Sequence, residues 1–442
     1  MTQNSNQICD FLLNEALKTA GSGAKAKVTM GESGKKAVSV LEGKPQSYDE
    51  AQTRAITLTV YLGQQKASAS SEDFSAEALQ KLAAETVAMA KATPPNKDAI
   101  LAQKGQFMED VASAAAKLDL YDNSPHPNVT QLQEMAYALE TSAKSVKGVR
   151  CKSVNTSFNY STTTILTSEG FQAQVKSTSY VPMLQTIAGA GNTQTTAYGY
   201  RVCRHRQDLP DMAKIGLEAA EKAAAKQGAK PIPSGKMPIL FDREVSPDLL
   251  SMFASAISGM AVDKGTSFLK ESMGKPVFAK GITLTDDPLI ARGLGSEPCD
   301  SQGIPAEKIN FVENGVLQHW LLSLASAKRL GLQPNGRADG VTNFYMHGGQ
   351  TTRKDLIASV KKGLLVTDMI GHSINLTTGD FSRGASGFLI ENGQITRPVH
   401  EITIAGNLKE MFLNLTPADD LRLEFSIAAP TVRVDGMMVA GK

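Results

Sequence analysis

The sequence has few cysteines, no excess of charge and no long apolar run, and each shortage excludes a class of protein. Its four cysteines contain no CxxC pair, which favours reduced thiols over a disulfide framework. The 46 Lys plus Arg nearly balance the 44 Asp plus Glu, so the net charge of +2 gives no general attraction to nucleic acid or anionic lipid. No apolar stretch reaches about 18 residues, and the first residues lack a basic start before an apolar run. These shortages predict a cytoplasmic protein with no membrane partner.

The length and hydrophobic content predict a large globular protein. At 442 residues and 41% hydrophobic residues, the chain can bury substantial cores, and about 150 residues per domain predicts two or three domains. A predicted Ala-rich helix over 217–226 ends in the Gly and Pro residues of 227–236, which read as a linker. We therefore predict an N-terminal domain over 1–226 and a C-terminal domain over 237–442, and a further division of the first domain near 118–128 stays open.

The first 206 residues alternate between helical and extended patterns. Apolar residues at helical spacing predict helices over 6–19 and 129–145, and Ser75 is a suitable N-cap for a third helix. Short strands are predicted over 25–30 and 36–41, a half-buried strand over 54–63, and further strands from 154 to about 206. The N-terminal part is thus predicted to combine helices with an antiparallel sheet.

The sequence Glu-Asn-Gly occurs twice between apolar stretches in the last third of the chain, at 313–315 and 391–393. Asn-Gly readily adopts the positive φ angles of a tight hairpin turn. Both stretches therefore predict antiparallel hairpins in a β-rich C-terminal domain. Together with the N-terminal pattern, they predict an α+β fold.

His400 and Glu401 are the one adjacent His-Glu pair of the sequence. A zincin motif, HExxH, needs two His one helical turn apart, with the Glu beside the metal-bound water. Here Ile404 occupies the place of the second His, and the β-branched residues of 402–404 favour a strand. We therefore interpret the pair as part of a sheet surface or partner contact and not as a metal site.

A cysteine, a histidine and three arginines lie close together between 201 and 206. Cys203 and His205 share a face of a predicted strand, but two ligands without a second pair do not make a metal site. Alternating arginines on a strand more often face solvent or an acidic partner surface than nucleic acid. We expect neither a metal nor nucleic acid at Arg201, Arg204 and Arg206.

Other candidate groups lack a spacing that predicts chemistry. His319 lies in the return strand of the first hairpin, while His347 and His372 lie in Gly-rich stretches, and a metal site built from these three stays an open alternative. Ser386 belongs to no GxSxG elbow, and we interpret it as a turn residue. Residues 31–36, GESGKK, lack the GxxxxGK(S/T) spacing of a P-loop and are predicted to form a turn between strands.

Three kinds of motif in the second half carry a family resemblance. They are 221–241, EKAAAKQGAKPIPSGKMPILF, then 264–268, KGTSF, and the two Glu-Asn-Gly hairpins. With these motifs in the same order, nearly the whole chain resembles the PmbA/TldD family, also called TldE/TldD. The resemblance implies a cytoplasmic bacterial protease made of two related subunits, which trims leader peptides and degrades small or unfolded polypeptides.

The same resemblance implies where a metal would lie. In the TldD-type subunit a helix carries HExxxH, and its two His hold a metal together with a Cys from a loop near the C-terminus. Aligned on 264–267, the three motif positions fall on Leu250, Ser251 and Ser255. Leu250 has no lone pair, Ser251 is not a base near neutral pH, and Ser255 is a poor zinc ligand. The last cysteine is Cys299, so the C-terminal Cys has no counterpart either.

These expectations identify the chain with the PmbA-type (TldE) branch, which lacks the metal motif. We predict a non-catalytic subunit of a heterodimeric metalloprotease, without catalytic, cofactor-binding or metal-binding residues of its own and with zinc in a TldD-type partner. Without that partner it would form a homodimer, and its substrates would be unfolded peptides. Two alternatives stay open: a self-sufficient hydrolase with an unrecognised site, and a regulatory binding protein acting on DNA gyrase.

Overall fold

The structure of the chain, a computed structural model, describes residues 5–371 and 374–441. Antiparallel sheets and helices occur together in both halves, which confirms the predicted α+β class. No helix in the described ranges is both long and apolar enough to cross a membrane.

Six strands form one antiparallel sheet in the N-terminal half, with the spatial order β3-β2-β1-β4-β5-β6. Long alternating strands of this kind bury one face and leave the other free. The strands are β1 (Lys25–Leu41), β2 (Lys44–Leu62), β3 (Gln65–Ser71), β4 (Val149–Thr167), β5 (Gln172–Ala188) and β6 (Thr195–Tyr200).

Two sequence predictions about this sheet are wrong. The predicted turn at 31–36 lies inside the continuous strand β1, because β2 and β4 pair with it on both sides throughout that stretch. Gly34 is needed there for space: a Cβ atom would meet the Tyr160 ring at 2.1 Å. The predicted strand to about 206 ends earlier, since β6 stops at Tyr200 and Cys203 makes only an isolated bridge to Tyr180 before a turn of 3-10 helix.

Five helices belong to the N-terminal half. They are α1 (Ser5–Ala20), α2 (Ala76–Ala92), α3 (Val111–Leu118), α4 (Val129–Lys144) and α5 (Met212–Ala225). Four of them, α1, α2, α4 and α5, cover one face of its sheet, whereas Val111 of α3 packs in a separate cluster. The pair α1 and α2 packs on one end of the sheet, and the pair α4 and α5 packs on the other. The predicted cap is confirmed, since the Ser75 hydroxyl accepts a hydrogen bond from the Ala78 amide at 3.3 Å.

The opposite face of this sheet carries small hydroxyl side chains. Cross-strand pairs join their oxygens at 2.7 Å for Ser33 with Thr53, 2.7 Å for Ser39 with Ser47, and 2.9 Å for Ser161 with Ser177. We call the surface formed by these six residues the hydroxyl face. It includes a depression of about 320 Å³.

The C-terminal half begins after a stretch, 226–234, in which the chain forms neither helix nor strand. Its strands are β7 (Gly235–Phe241), β8 (Leu284–Asp286), β9 (Ile309–Glu313), β10 (Val316–Leu317), β11 (Phe344–Met346), β12 (Lys362–Ile370), β13 (Asp380–Glu391), β14 (Gln394–Asn407), β15 (Leu415–Pro417), β16 (Ile427–Ala428) and β17 (Val432–Ala440). Its helices are α6 (Pro247–Ala256), α7 (Gly259–Asp263), α8 (Leu324–Leu330), α9 (Arg353–Ala358) and α10 (Leu408–Leu413).

Five of these strands close into a barrel. The order β14-β13-β12-β7-β17 returns to β14 through three residue pairs at 438–440 of β17, and β15 pairs with 432–434 along the same edge of β17. A smaller sheet has the order β10-β9-β8-β11-β16. Both predicted hairpins are confirmed as β9–β10 and β13–β14, with positive φ at Asn314 and Asn392 and at the glycine after each.

An apolar cluster and several ion pairs join the two halves. Phe107 and Phe171 of the N-terminal half pack with Ile304 of the C-terminal half. Across the same junction, Arg292 Nε donates to Asp119 at 2.7 Å. The cluster covers one end of the face that carries the hydroxyl pairs, because its members Ala173 and Val175 lie on the same side of β5 as Ser177.

Candidate functional site

Helix α6 carries the positions that correspond to the family's metal motif. Pro247 stands in its first turn, where a missing N–H is no loss, and Asp248 adds a negative charge at the positive end of the helix. The Asp248 carboxylate accepts a hydrogen bond from Arg383 of β13 at 2.8 Å. The start of α6 is therefore fixed to the barrel wall.

The inner face of α6 is entirely apolar. Leu250 is fully buried, and Phe253 beside it packs edge-on against Phe278 with ring centroids 5.0 Å apart. The Phe412 ring closes the same cluster at 5.9 Å from Phe253. Leu250, at the first motif position, is thus a core residue that holds the helix against the barrel.

The outer face of α6 exposes the other two motif positions. Ser251 and Ser255 lie one turn apart and are both exposed. The Ser251 hydroxyl donates to the Pro247 carbonyl at 3.1 Å, and the Ser255 hydroxyl donates to the Ser251 carbonyl at 2.9 Å. Each hydroxyl proton is therefore used within the helix itself.

The C-terminal loop that would supply the third ligand lies beside α6. Helix α6 contacts β16, and the Ser246 hydroxyl just before it donates to the Pro430 carbonyl at 2.8 Å. The loop is closed by Asp420, whose carboxylate accepts from the Thr431 amide at 2.7 Å and the Thr431 hydroxyl at 2.8 Å. The two parts of the expected metal site thus meet in space.

The donors at this meeting point do not fit zinc. Leu250 offers only a hydrocarbon side chain, and Ser251 and Ser255 offer only hydroxyls. No cysteine follows Cys299 that could supply a thiolate. Within residues 5–371 and 374–441, no group of three or more His, Cys, Asp or Glu side chains could hold a metal ion. No chemical step through a metal is derived for this chain.

The His400–Glu401 pair lies on strand β14, as predicted, and forms a β-bulge there. Ala385 pairs with Ile402 and Gly387 with Val399, so both residues of the pair stand opposite Ser386 alone. Glu401 has a φ of 53°, and its carboxylate lies 3.7 Å from His400 Nδ1. The pair is a surface irregularity of the barrel.

Ser386 lies in the middle of strand β13, so the prediction that it serves a turn is wrong. Its backbone pairs with Asp368 of β12, and its hydroxyl points to the Asp368 carboxylate at 3.4 Å. Lys226 also donates to that carboxylate at 2.7 Å. This stretch is a strand because β13 pairs with β12 on one side and β14 on the other. The residues next to Ser386 in the chain do not indicate that pairing.

Cys203 and His205 turn to different partners. The Cys203 thiol donates to the Asp208 carbonyl at 3.3 Å, and burial raises its pKa. His205 is buried, and its Nε2 lies 2.8 Å from the Asp119 carbonyl. The two side chains are held by separate hydrogen bonds in an irregular segment after β6.

The three arginines of this segment also separate. Arg201 lies between two glutamates, at 3.3 Å from Glu218 and 3.7 Å from Glu424. Arg204 is half-buried and donates to backbone carbonyls, while Arg206 is exposed. They do not form one basic surface.

Of the three histidines weighed as an alternative metal site, His319 and His347 are described. Burial lowers the pKa of His319, which packs edge-on against Phe311. Burial, followed by the charge of Lys308, lowers the pKa of His347, and its Nε2 forms a hydrogen bond with the Thr285 hydroxyl at 2.8 Å. His372 lies outside the described residues.

A cavity between the two halves was not foreseen from the sequence. It has a volume of about 310 Å³ and is lined by residues of four separate segments. One segment contains Arg201, Cys203 and Arg204, which the sequence already showed as a cluster. That cluster forms one wall of the cavity. Nothing local to the sequence indicates the other three walls.

Fold and site together define a two-part α+β protein with a closed barrel and a motif helix without metal donors. Three models of metallopeptidase domains match it in order. They are PmbA/TldA metallopeptidase domain 1 over 34–90, the central domain over 95–227 and the C-terminal domain over 234–441.

Whole-chain relatives agree with the domain matches. The Metalloprotease PmbA homolog of Haemophilus influenzae is 32% identical, over 99% of this chain and 96% of that protein. The Metalloprotease PmbA of Escherichia coli O157:H7 is 31% identical, over 98% and 96%. The chain therefore belongs to the PmbA/TldD metallopeptidase family.

Solved structures share the complete fold. The crystal structure of a DNA gyrase modulator candidate from Bacteroides thetaiotaomicron superimposes with a TM-score of 0.91 at 28% identity, covering 100% of both chains. TldE from Thermococcus kodakarensis superimposes with a TM-score of 0.82 at 19% identity, covering 98% of this chain and 100% of that one.

Proposed function

We propose that this chain is the non-catalytic, PmbA-type (TldE) subunit of a cytoplasmic heterodimeric metalloprotease, in which a TldD-type partner supplies the zinc site. The observation that carries the proposal is the outer face of α6. Ser251 and Ser255 occupy two of the motif positions there, and both hydroxyls donate to carbonyls of their own helix. The third position, Leu250, is buried in the core.

The role of the chain in such a complex is to enclose the substrate, which we propose to be a leader peptide or another small or unfolded polypeptide. The hydroxyl face supports this role. Its six defining side chains are hydroxyls, which both donate and accept hydrogen bonds, so the face suits extended peptides of many sequences; Lys35 is a charged side chain that also lines its depression. The barrel strands, by contrast, surround an apolar core.

The proposal is tested by reconstitution. The chain is purified alone, its zinc content is measured, and peptidase activity is assayed on an unfolded polypeptide with and without a TldD-type partner. We expect no stoichiometric zinc and no activity alone, a one-to-one complex on size-exclusion chromatography, and activity in that complex. Zinc and activity in the isolated chain would instead favour the self-sufficient hydrolase.

A variant pair separates a scaffold role of α6 from a catalytic one. Ser251→Ala combined with Ser255→Ala removes both hydroxyls, and activity of the complex is expected to change by less than about twofold. The matched control is a partner whose HExxxH glutamate is replaced by Gln, which abolishes activity. A loss with the double serine variant comparable to that control would contradict the proposal.

A further inference from the structure

The cavity between the halves has the size of a small-ligand site. Its volume of about 310 Å³ lies at the lower end of the range typical for such sites. One wall comes from the segment after β6 and the others from 290–294, 343–345 and 423–426. The cavity exists only because the two halves dock.

The carboxylates around the cavity are unevenly distributed among its arginines. Three arginines and two acidic residues line it. Arg201 and Arg292 each lie within 4.0 Å of two carboxylates. Those partners are Glu218, Glu424, Asp119 and Asp208. Arg204 is the lining arginine that these carboxylates leave unpaired.

Arg204 has no acidic partner among the described residues. Its terminal nitrogens donate to the carbonyls of Thr178 at 3.3 Å and Leu294 at 2.6 Å. Its Nε is buried and makes no hydrogen bond within residues 5–371 and 374–441. Burial lowers the pKa of this guanidinium, in keeping with the free-energy cost of an uncompensated cation away from water.

The cavity also has an apolar side. Phe425 lines it and packs against Tyr200 at the end of β6, with ring centroids 5.0 Å apart. Leu423 beside it remains 53% exposed. A ligand that satisfies both sides carries one negative charge and one apolar group.

We propose that this cavity binds a small carboxylate with an apolar substituent, and that Arg204 holds its carboxylate. A planar guanidinium suits this role because its parallel N–H groups match the two oxygens of a carboxylate. A peptide C-terminus with an apolar last residue and a free branched carboxylic acid share this chemistry. The inference concerns this chain alone and does not depend on a protease partner.

Calorimetric titration of the full-length chain tests the proposal with defined probes. Acetyl-Ala-Ala-Leu with a free carboxylate is compared with its C-terminal amide, and 4-methylpentanoate is the second source of the same chemistry. We expect at least one acid to bind and the amide to bind about tenfold more weakly or worse than the peptide acid, if that acid binds. Tighter binding of the peptide acid identifies a peptide terminus, and equal or tighter binding of 4-methylpentanoate identifies a free acid.

Variants locate the site. Arg204→Met should weaken binding of the acid about tenfold or more, whereas Arg206→Met, at an exposed arginine two residues away that does not line the cavity, should leave it unchanged. Because Arg204 bridges the halves and its variant could unfold, the unmodified protein supplies a second measurement. Cys203 lines the cavity and is the one cysteine that is not buried, so the acid should slow its alkylation.

The proposal is overturned if neither acid binds at millimolar concentration, or if a peptide acid that binds is matched by its amide. It is likewise overturned if the acid fails to protect Cys203, or if a folded Arg204→Met variant binds as well as the unmodified chain.

Discussion

The N-terminal sheet and the C-terminal barrel differ in how they treat the edges of their strands. In the barrel, β14 returns to β17, so each of the five strands has a neighbour on both sides. In the N-terminal sheet, β3 pairs with β2 only from Ile56 onward, and within the described chain residues 44–53 of β2 pair with β1 alone. Closure leaves no free edge, whereas the open sheet keeps an edge and a polar face available for contact.

The comparison predicts that an added side-chain atom destabilises the protein more in the barrel than in the open sheet. At Gly387 of β13 an added Cβ atom would lie 1.9 Å from the Leu365 carbonyl oxygen, which is backbone that the ring of strands holds in place. At Gly34 of β1 the obstacle is the Tyr160 ring, a side chain that can move. Gly387→Ala should lower the free energy of unfolding by about 3 kcal/mol, and Gly34→Ala by about 1 kcal/mol.

Urea denaturation of both variants measures this difference, with circular dichroism as the signal. Gly235→Ala is a control within β7, because nothing lies within 4 Å of the added atom there. Equal losses for Gly387→Ala and Gly34→Ala would show that closure of the barrel does not stiffen it.

A half-buried carboxyl in the C-terminal half should make stability fall as pH rises. Burial, together with the charges of Asp339 and Asp300, raises the pKa of Glu297 to about 7. The unfolded state releases this proton near pH 4.3, so folding loses stability between about pH 4.5 and 7. Glu297→Gln should remove that loss and stabilise the protein by about 2 kcal/mol at pH 8 relative to pH 4.

Thermal unfolding at pH 4, 6 and 8 checks this expectation. Glu307→Gln changes an exposed carboxylate of the same half and serves as the control, with little change expected at any pH. A Glu297→Gln variant whose stability relative to the unmodified chain is constant over these pH values would refute the account.

A buried carboxyl in the N-terminal half should act in the opposite sense and more weakly. Burial by itself would raise the pKa of Asp122, but hydrogen bonds from the Arg206 amide, Ser124 and the Tyr180 hydroxyl lower it to about 2. Its stabilising contribution is therefore full above about pH 4 and is lost as the pH falls through 2. Asp122→Asn should cost about 1 kcal/mol at pH 7, and the cost should shrink near pH 2.

Urea titrations of Asp122→Asn at pH 7 and near pH 2 measure the two values. An equal cost at both would mean that the carboxylate charge has no part in the effect.

Local patterns explain which parts of the fold were predictable. The hairpins at Asn314 and Asn392 and the cap at Ser75 depend on residues next to each other in the chain, and all three are confirmed. The glycines and lysines of 31–36 suit a turn, but this stretch is a strand because it pairs with β2, the next strand along the chain, and with the distant strand β4. Closure of the barrel joins residues far apart and leaves no local signal.

The same limit applies to the sites. The positions on α6 could be assigned from a family resemblance because they lie within one short helix. The cavity between the two halves could not be predicted from the sequence. Arg204 lines it only because the fold brings the carbonyls of Thr178 and Leu294 and three other segments around this side chain. Charge balance across a domain junction is a property of the folded chain.

The serine face of α6 has a consequence for desolvation. A surface covered by another protein loses its water, and every unpaired donor left behind raises the free energy of the complex. On α6 the hydroxyl protons of Ser251 and Ser255 are already bonded within the helix, so burying them would leave no donor unsatisfied. If a helix carried metal ligands at these positions, a protein covering it would block the open coordination position of the metal. Helix α6 carries serines there, so another protein can cover it without that loss.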